Sequence, residues 1–191
     1  MRGESRVGAG GAPSSPPKAP PAPLIVTAEL PPDVLAWGDA LRRAHYPPER
    51  NHLEAHVTLF HAFAPSLVPE LKRYLAQLAG GHGRPAARLT GLMPLGRGTA
   101  LAIDSPGMLA VRERIAEHFH GALTAQDSRP PRLHITIQNK VTREAARELQ
   151  RELGANLEPR AFAFAGLGLH LYRGGPWEAA GRWSFRGSSA A

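Results

Sequence analysis

The chain has 191 residues, enough for one sizeable core or two small lobes that share an interface. It has no cysteine, which excludes a disulfide framework, a thiol nucleophile and a cysteine-based zinc or iron–sulfur site, and which is compatible with a reducing cytoplasm. Net charge is +7 with histidine neutral, and about +5 of it lies beyond residue 23. Such a basic surface attracts phosphate-bearing partners without reading sequence, and it equally describes a proteome that uses arginine freely.

Residues 1–23 are mostly Gly, Ala, Ser and Pro. They have neither the apolar core of a signal peptide nor a membrane-spanning run, and read as a disordered tail. Residues 24–186 read as one folded unit with a flexible end at 187–191. Leu24 to Leu30 is a predicted strand, stopped by Pro31-Pro32. Val34, Trp37, Leu41 and Ala44 then recur at helical spacing. A polar loop around Pro47-Pro48 leads into a strand from His56 to Phe63. Pro65-Ser66 opens a helix whose apolar side is Leu67, Leu71, Tyr74 or Leu75, and Leu78, closed by Gly80-Gly81. Arg88 to Leu95 and Thr99 to Asp104 form a predicted hairpin about Gly96-Arg97-Gly98. Ser105-Pro106 starts a helix that buries Met108, Val111, Ile115 and Phe119. After a loop with Asp127 and Pro130-Pro131, His134 to Lys140 is a strand. Thr142 caps a helix ending at Gly154, and Ala161 to Tyr172 with Gly181 to Phe185 reads as a last hairpin. The alternation fits an α+β protein of two similar lobes.

Two strings carry the chemistry: His56-Val57-Thr58-Leu59 and His134-Ile135-Thr136-Ile137. Side chains two residues apart on a strand share a face, so each string projects an imidazole beside a hydroxyl. One His-x-Thr is common by chance; two in matching strand settings, 78 positions apart, are far less so. A phosphodiester placed between the pairs has one neutral imidazole to take a proton from the attacking group. It has a protonated imidazole to give one to the leaving oxygen, and two hydroxyls for the non-bridging oxygens. Histidine titrates at about 6.5 when unperturbed, which suits both proton roles.

With HVTL and HITI on strands of a duplicated α+β chain, the sequence resembles the 2H phosphoesterase superfamily, in its 2′-5′ RNA ligase or RNA 2′,3′-cyclic phosphodiesterase branch. The resemblance runs from about Leu24 to Phe185 and includes the terminal Leu171-Tyr172-Arg173 stretch. It implies a bilobal fold, two antiparallel sheets facing a central groove with helices outside and one motif in each sheet. It implies hydrolysis of 2′,3′-cyclic phosphates of RNA ends or nucleotides to 2′-phosphates, with reversible 2′-5′ RNA ligation in some members. His56 and His134 become the proton-transfer pair, leaning to His134 as base and His56 as acid, and Thr58 and Thr136 the phosphate ligands. No metal or cofactor is implied, and the expected partners are RNA ends or small cyclic nucleotides, met by a cytoplasmic monomer away from any membrane.

Further residues follow from alternation. Phe60 and Gln138 continue the His–Thr faces; Phe60 reads first as core and second as a stacking surface, and Gln138 as a ribose or phosphate contact. On the last hairpin, Leu167, Leu169 and Leu171 form one face. Gly166, Gly168, His170 and Tyr172 form the other, either a groove floor with Tyr172 stacking at its end or an ordinary bulged strand. Many relatives place an arginine before the first strand; prolines stand there in this chain. Arg132, Arg50 and Arg173 are the alternatives for meeting phosphate charge, each reading first as a solvated surface group. Two other classes compete: a nucleotide- or RNA-binding module without turnover, and a histidine-ligated metalloenzyme. The metal reading is weak, because His56 and His61 should face opposite sides of their strand and no acidic residue falls at a familiar ligand spacing.

Overall fold

The computed structural model describes residues 22–188. The tail reading over 1–23, apart from residues 22 and 23, lies outside the described residues, as does most of 187–191.

Among the described residues, eight strands and four α-helices follow in the order β1 (Leu24–Glu29), α1 (Pro32–His45), β2 (Val57–Phe63), α2 (Val68–Gly81), β3 (Ala86–Pro94), β4 (Gly98–Asp104), α3 (Pro106–His118), β5 (His134–Asn139), α4 (Arg143–Gly154), β6 (Arg160–Ala163), β7 (Gly166–Leu171) and β8 (Glu178–Ser184). They make two antiparallel four-stranded sheets, β2-β1-β7-β8 and β5-β4-β3-β6. The α+β class and the one-motif-per-sheet arrangement hold. The helix starts behave as their residues dictate: Ser105 Oγ accepts from the Met108 N–H and Thr142 Oγ1 from the Ala145 N–H, each supplying one of the acceptors a first turn lacks. One buried cluster joins Leu24, Val26, Leu59 and Leu167 of the first sheet to Leu89, Leu101 and Ile135 of the second.

Three expectations change. The predicted strand Ala161 to Tyr172 is two strands in different sheets, β6 beside β3 and β7 between β1 and β8. The chain crosses at Phe164-Ala165, where the Phe164 N–H donates to the Pro85 carbonyl and the Ala165 N–H to that of Glu29. A continuous apolar run carries no mark of such a crossing. The lobes are therefore not the two halves of the chain, since the first sheet takes β1 and β2 from the start and β7 and β8 from the end. On α1, the buried line is Val34, Gly38 and Arg42 rather than Val34, Trp37, Leu41 and Ala44.

The third change touches both motif strands. In the pairing of β1 with β2, Val26 faces Phe60 and the next residue, Thr27, faces Thr58, so Leu59 is an extra residue. In the pairing of β4 with β5, Thr99 faces Gln138 and Ala100 faces Thr136, leaving Ile137 extra. Each motif strand thus bulges one step past its threonine, and a bulge breaks the alternation of faces. Phe60 and Gln138 accordingly leave the His–Thr face and turn inward, Phe60 with no exposed surface and Gln138 buried.

Each motif strand is held by a buried charge. Arg42 of α1 donates through Nε to the Leu53 carbonyl (3.1 Å), through a terminal nitrogen to the Thr136 carbonyl (2.7 Å), and through the other to Asn51 Oδ1 (2.9 Å). It ties the loop before β2 to β5. Gly38 lets α1 approach that seam: a Cβ there would lie 2.8 Å from the Ala55 Cβ and 3.7 Å from Ile135 Cγ2. Asp39 accepts the Ala55 N–H at 2.6 Å. On the other side, Arg112 of α3 donates to the carbonyls of Asp127 and Arg129 in the loop before β5, and its guanidinium lies over the Phe60 ring at 4.6 Å. The Asp127 carboxylate accepts the N–H groups of His61 and Ala62 and bonds His61 Nδ1 at 3.0 Å. Burial raises the Asp127 pKa, but the hydrogen bonds from His61 and Ala62 outweigh it and hold the carboxyl below its ordinary value.

Replacing Arg42 by Met leaves two part-buried carbonyls without this donor, at about 1–3 kcal/mol each. The Arg42→Met protein should lose about 3 kcal/mol, a fall in Tm of roughly 6–12 °C by calorimetry for a domain of this size.

Candidate active site

His56 stands immediately before β2 and His134 opens β5. The two rings are fixed in the same way. His56 Nδ1 bonds the Glu54 carbonyl at 2.7 Å, and His134 Nδ1 bonds the Arg132 carbonyl at 2.7 Å, in each case two residues back along the chain. A carbonyl only accepts, so Nδ1 carries the proton in both, and a neutral ring then presents Nε2 as a lone pair. Thr58 and Thr136 sit two residues on and are half-buried like the histidines. The sequence therefore sets the local geometry twice: an extended residue, a histidine clipped by its own backbone, then a hydroxyl on the same face.

The environments of the two imidazoles differ. Burial pushes His56 down to about 4, and the charges of Arg42, His170 and His134 act in the same direction against the hydrogen bond to Glu54. At neutral pH the His56 ring is held in its neutral form. The Trp177 ring, carried on the loop between β7 and β8, stands 4.5 Å from the His56 ring and 5.4 Å from that of His170. A cavity of about 250 Å³ opens here, lined among others by Thr27, Glu29, His56, His170, Trp177 and Arg182. His170 Nε2 lies 2.9 Å from Thr27 Oγ1, which donates to Glu29 Oε1 at 3.1 Å. The second Glu29 oxygen is 3.4 Å from Arg182 Nε. Burial lowers the His170 pKa, with Arg182 adding to it and Glu29 opposing. Room for this cluster comes from Gly168, where a Cβ would fall 2.2 Å from Glu29 Oε1, 2.5 Å from Thr27 Oγ1 and 2.8 Å from His170 Nε2.

The remaining sequence expectations divide. Gln138 sits against Thr99 Oγ1 at 3.4 Å, inside the second lobe, and Phe60 packs on Phe63, so neither lines this cavity. Tyr172 is exposed, past the end of β7, and is not among the cavity's walls. Arg132 contributes its carbonyl to His134 while its side chain is exposed. Arg50 and Arg173 pair with Glu49 (3.9 Å) and Glu178 (3.0 Å) at the surface. Among the described residues, no group of three or more His, Cys, Asp or Glu side chains is placed to hold a metal ion. His118 instead pairs with Glu70 at 3.0 Å and stacks on Tyr74. Sequence reasoning missed Arg42, Glu29, Trp177 and Arg182. A signal existed for Glu29, which alternates with Thr27 on β1 just as His170 alternates with Gly168 on β7.

A family model described as the 2′-5′ RNA ligase superfamily matches residues 30–176. Among solved structures, the chain is similar to TT0787 of Thermus thermophilus, with 19% identity over 87% of this chain and 99% of that one, at a TM-score of 0.59. It is similar to E. coli LigT complexed with NADP+, with 20% identity over 86% of this chain and 98% of that one, at a TM-score of 0.53. A structure described as a phosphoesterase gives 21% identity over 87% and 99%, at a TM-score of 0.52. These identities speak for the fold. Among curated proteins, none matches in sequence. The family match takes in both clipped histidines and both motif strands, and by it the chain belongs to the 2′-5′ RNA ligase superfamily, a branch of the 2H phosphoesterases.

Proposed function

We propose that the chain is a metal-independent phosphodiesterase that opens 2′,3′-cyclic phosphates of RNA ends or nucleotides to 2′-phosphates, and that the same site makes a 2′-5′ link, reversibly, when a 5′-hydroxyl attacks the cyclic phosphate in place of water. The observation that carries this reading is the duplicate clip, Nδ1–H to a backbone carbonyl in both His56 and His134, which leaves two Nε2 atoms for proton transfer. Two imidazoles with fixed tautomers serve an in-line displacement, whereas a module that only holds a nucleotide has no use for the second. E. coli LigT has been crystallised with 3′-AMP, and that relative's ligand is in keeping with a nucleotide for this groove.

In hydrolysis, water attacks phosphorus as His56 Nε2 takes its proton. The bond from phosphorus to O3′ breaks, and His134, protonated at Nε2, gives its proton to that oxygen. Thr58 and Thr136 donate hydrogen bonds to the non-bridging oxygens as their charge grows. The burial that keeps His56 neutral favours it as the base, which reverses the sequence lean. In the ligation direction, a 5′-hydroxyl stands where water stood.

His56→Ala and His134→Ala should each lower kcat/KM on a 2′,3′-cyclic nucleotide by about 10²–10⁴-fold in chelator-treated protein. Full turnover by either variant removes the reading, and tight binding without any hydrolysis by the wild type makes the chain a binding module.

The pH profile assigns the roles. kcat/KM reports the free enzyme, so it should rise through about pH 4 as His56 loses its proton. A decline through that value would make His56 the acid. The limb in kcat should lie at higher pH, because a bound phosphate anion favours the imidazolium. Stability carries the same sign. The unfolded imidazole takes up its proton near 6.5, and the folded one resists until about 4. Denaturant midpoints should therefore hold above pH 6.5 and fall between there and 4.

A further inference from the structure

The two motif sheets are not equivalent, although they repeat one plan. Directly paired residues of neighbouring antiparallel strands share a face. In the first sheet, Thr58 pairs with Thr27, Thr27 with Gly168 and Gly168 with Arg182, so a polar row crosses all four strands from the motif threonine outward. In the second sheet, the matching row from Thr136 runs through Ala100 to Met93. His134 itself pairs with Ala102. Hydrogen-bonding capacity is concentrated beside His56, where Glu29 and Arg182 sit at the wall of the cavity that Trp177 overhangs.

That wall has the makings of a base-reading site. Its carboxylate is anchored from behind, Oε1 receiving the Thr27 hydroxyl and Oε2 facing Arg182, and the side chain keeps 23% of its surface open. The neighbouring guanidinium is more than half exposed. Trp177 supplies an aromatic wall, and Leu30, Leu35 and Leu53 an apolar floor. A flat ligand with two adjacent donors for the carboxylate and an acceptor next to them for the guanidinium matches this order of groups. Among the nucleobases that edge belongs to guanine: N2–H and N1–H as donors, O6 as acceptor. Adenine presents one donor there and uracil one.

We propose that this cavity is a guanine subsite, in which Glu29 accepts N1–H and N2–H, Arg182 donates to O6 and Trp177 covers the ring. The proposal rests on the phosphodiesterase reading only for the position of the phosphate, at the motif threonines, from which the row Thr58, Thr27, Gly168, Arg182 leads into the subsite. It makes guanosine the nucleoside bound next to His56.

Calorimetric titration of the whole protein with 2′-GMP, 2′-AMP, 2′-CMP and 2′-UMP tests this without requiring turnover. The expected result is 2′-GMP tighter than the others by about tenfold or more, the size a good bidentate contact gives. Glu29→Gln leaves one acceptor and one donor facing the two guanine donors and should level the four affinities. Arg182→Ala lies at an exposed position that tolerates truncation, and should reduce the preference for guanine over adenine, so the test stands even if Glu29→Gln misfolds. Equal affinities in the wild type, a guanine preference that survives both substitutions, or no nucleotide binding at all overturns the subsite. Hydrolysis of 2′,3′-cyclic nucleotides, assayed beside the titrations, decides the phosphodiesterase reading separately. Turnover without base preference defeats the subsite and spares that reading, and guanine-selective binding without turnover does the reverse.

Discussion

Two buried guanidinium groups set the distance between the catalytic strands. Arg42 reaches from α1 to the loop that delivers His56 and to the Thr136 carbonyl of the opposite motif strand. Arg112 reaches from α3 to the loop that delivers His134, and lies on the Phe60 ring of the opposite one. Each helix thus braces its own motif and the other at once, an arrangement that follows the repeated strand–helix–strand plan of the fold. A guanidinium suits this work because it stays charged and offers five donors in a fixed plane, so one side chain can satisfy several carbonyls at once. The pair of struts thus adds to the buried cluster that Leu59 and Ile135 of the two motif strands share.

The repeat also explains how like motifs acquire unlike chemistry. Both imidazoles are clipped identically, yet His56 stands under Trp177 and near Arg42 and His170, while His134 borders alanines. Differences outside the motif, in the residues that pair with it across each sheet, set a polar wall apart from an apolar one. Gly168 belongs to this division, since only a residue without a side chain lets Thr27, Glu29 and His170 meet above β7.

Much of this was legible in the sequence and some was not, for identifiable reasons. The motif strands, the helix caps at Ser105 and Thr142, and the α+β class follow from short-range patterns that the backbone obeys locally. Alternation carried the motifs as far as the threonines and failed one residue later, because the bulges at Leu59 and Ile137 arise from pairing with β1 and β4, which no single strand encodes. The crossing at Phe164-Ala165 failed for the same reason. Arg42 was passed over because an arginine on a helix is ordinarily solvated, and its burial depends on carbonyls 11 and 94 positions away. Glu29, Trp177 and Arg182 meet only because β1 and β8 flank β7, a neighbourhood created by topology.

Both motif strands are sheet edges, β2 in one sheet and β5 in the other. An edge strand offers open backbone groups to any passing chain, and natural proteins blunt such edges. Here the blunting is done by single side chains: Asp127 occupies the N–H groups of His61 and Ala62 on β2, and Arg42 the Thr136 carbonyl on β5. The side chains that hold the motif strands in place thus also occupy backbone groups through which a further strand would pair.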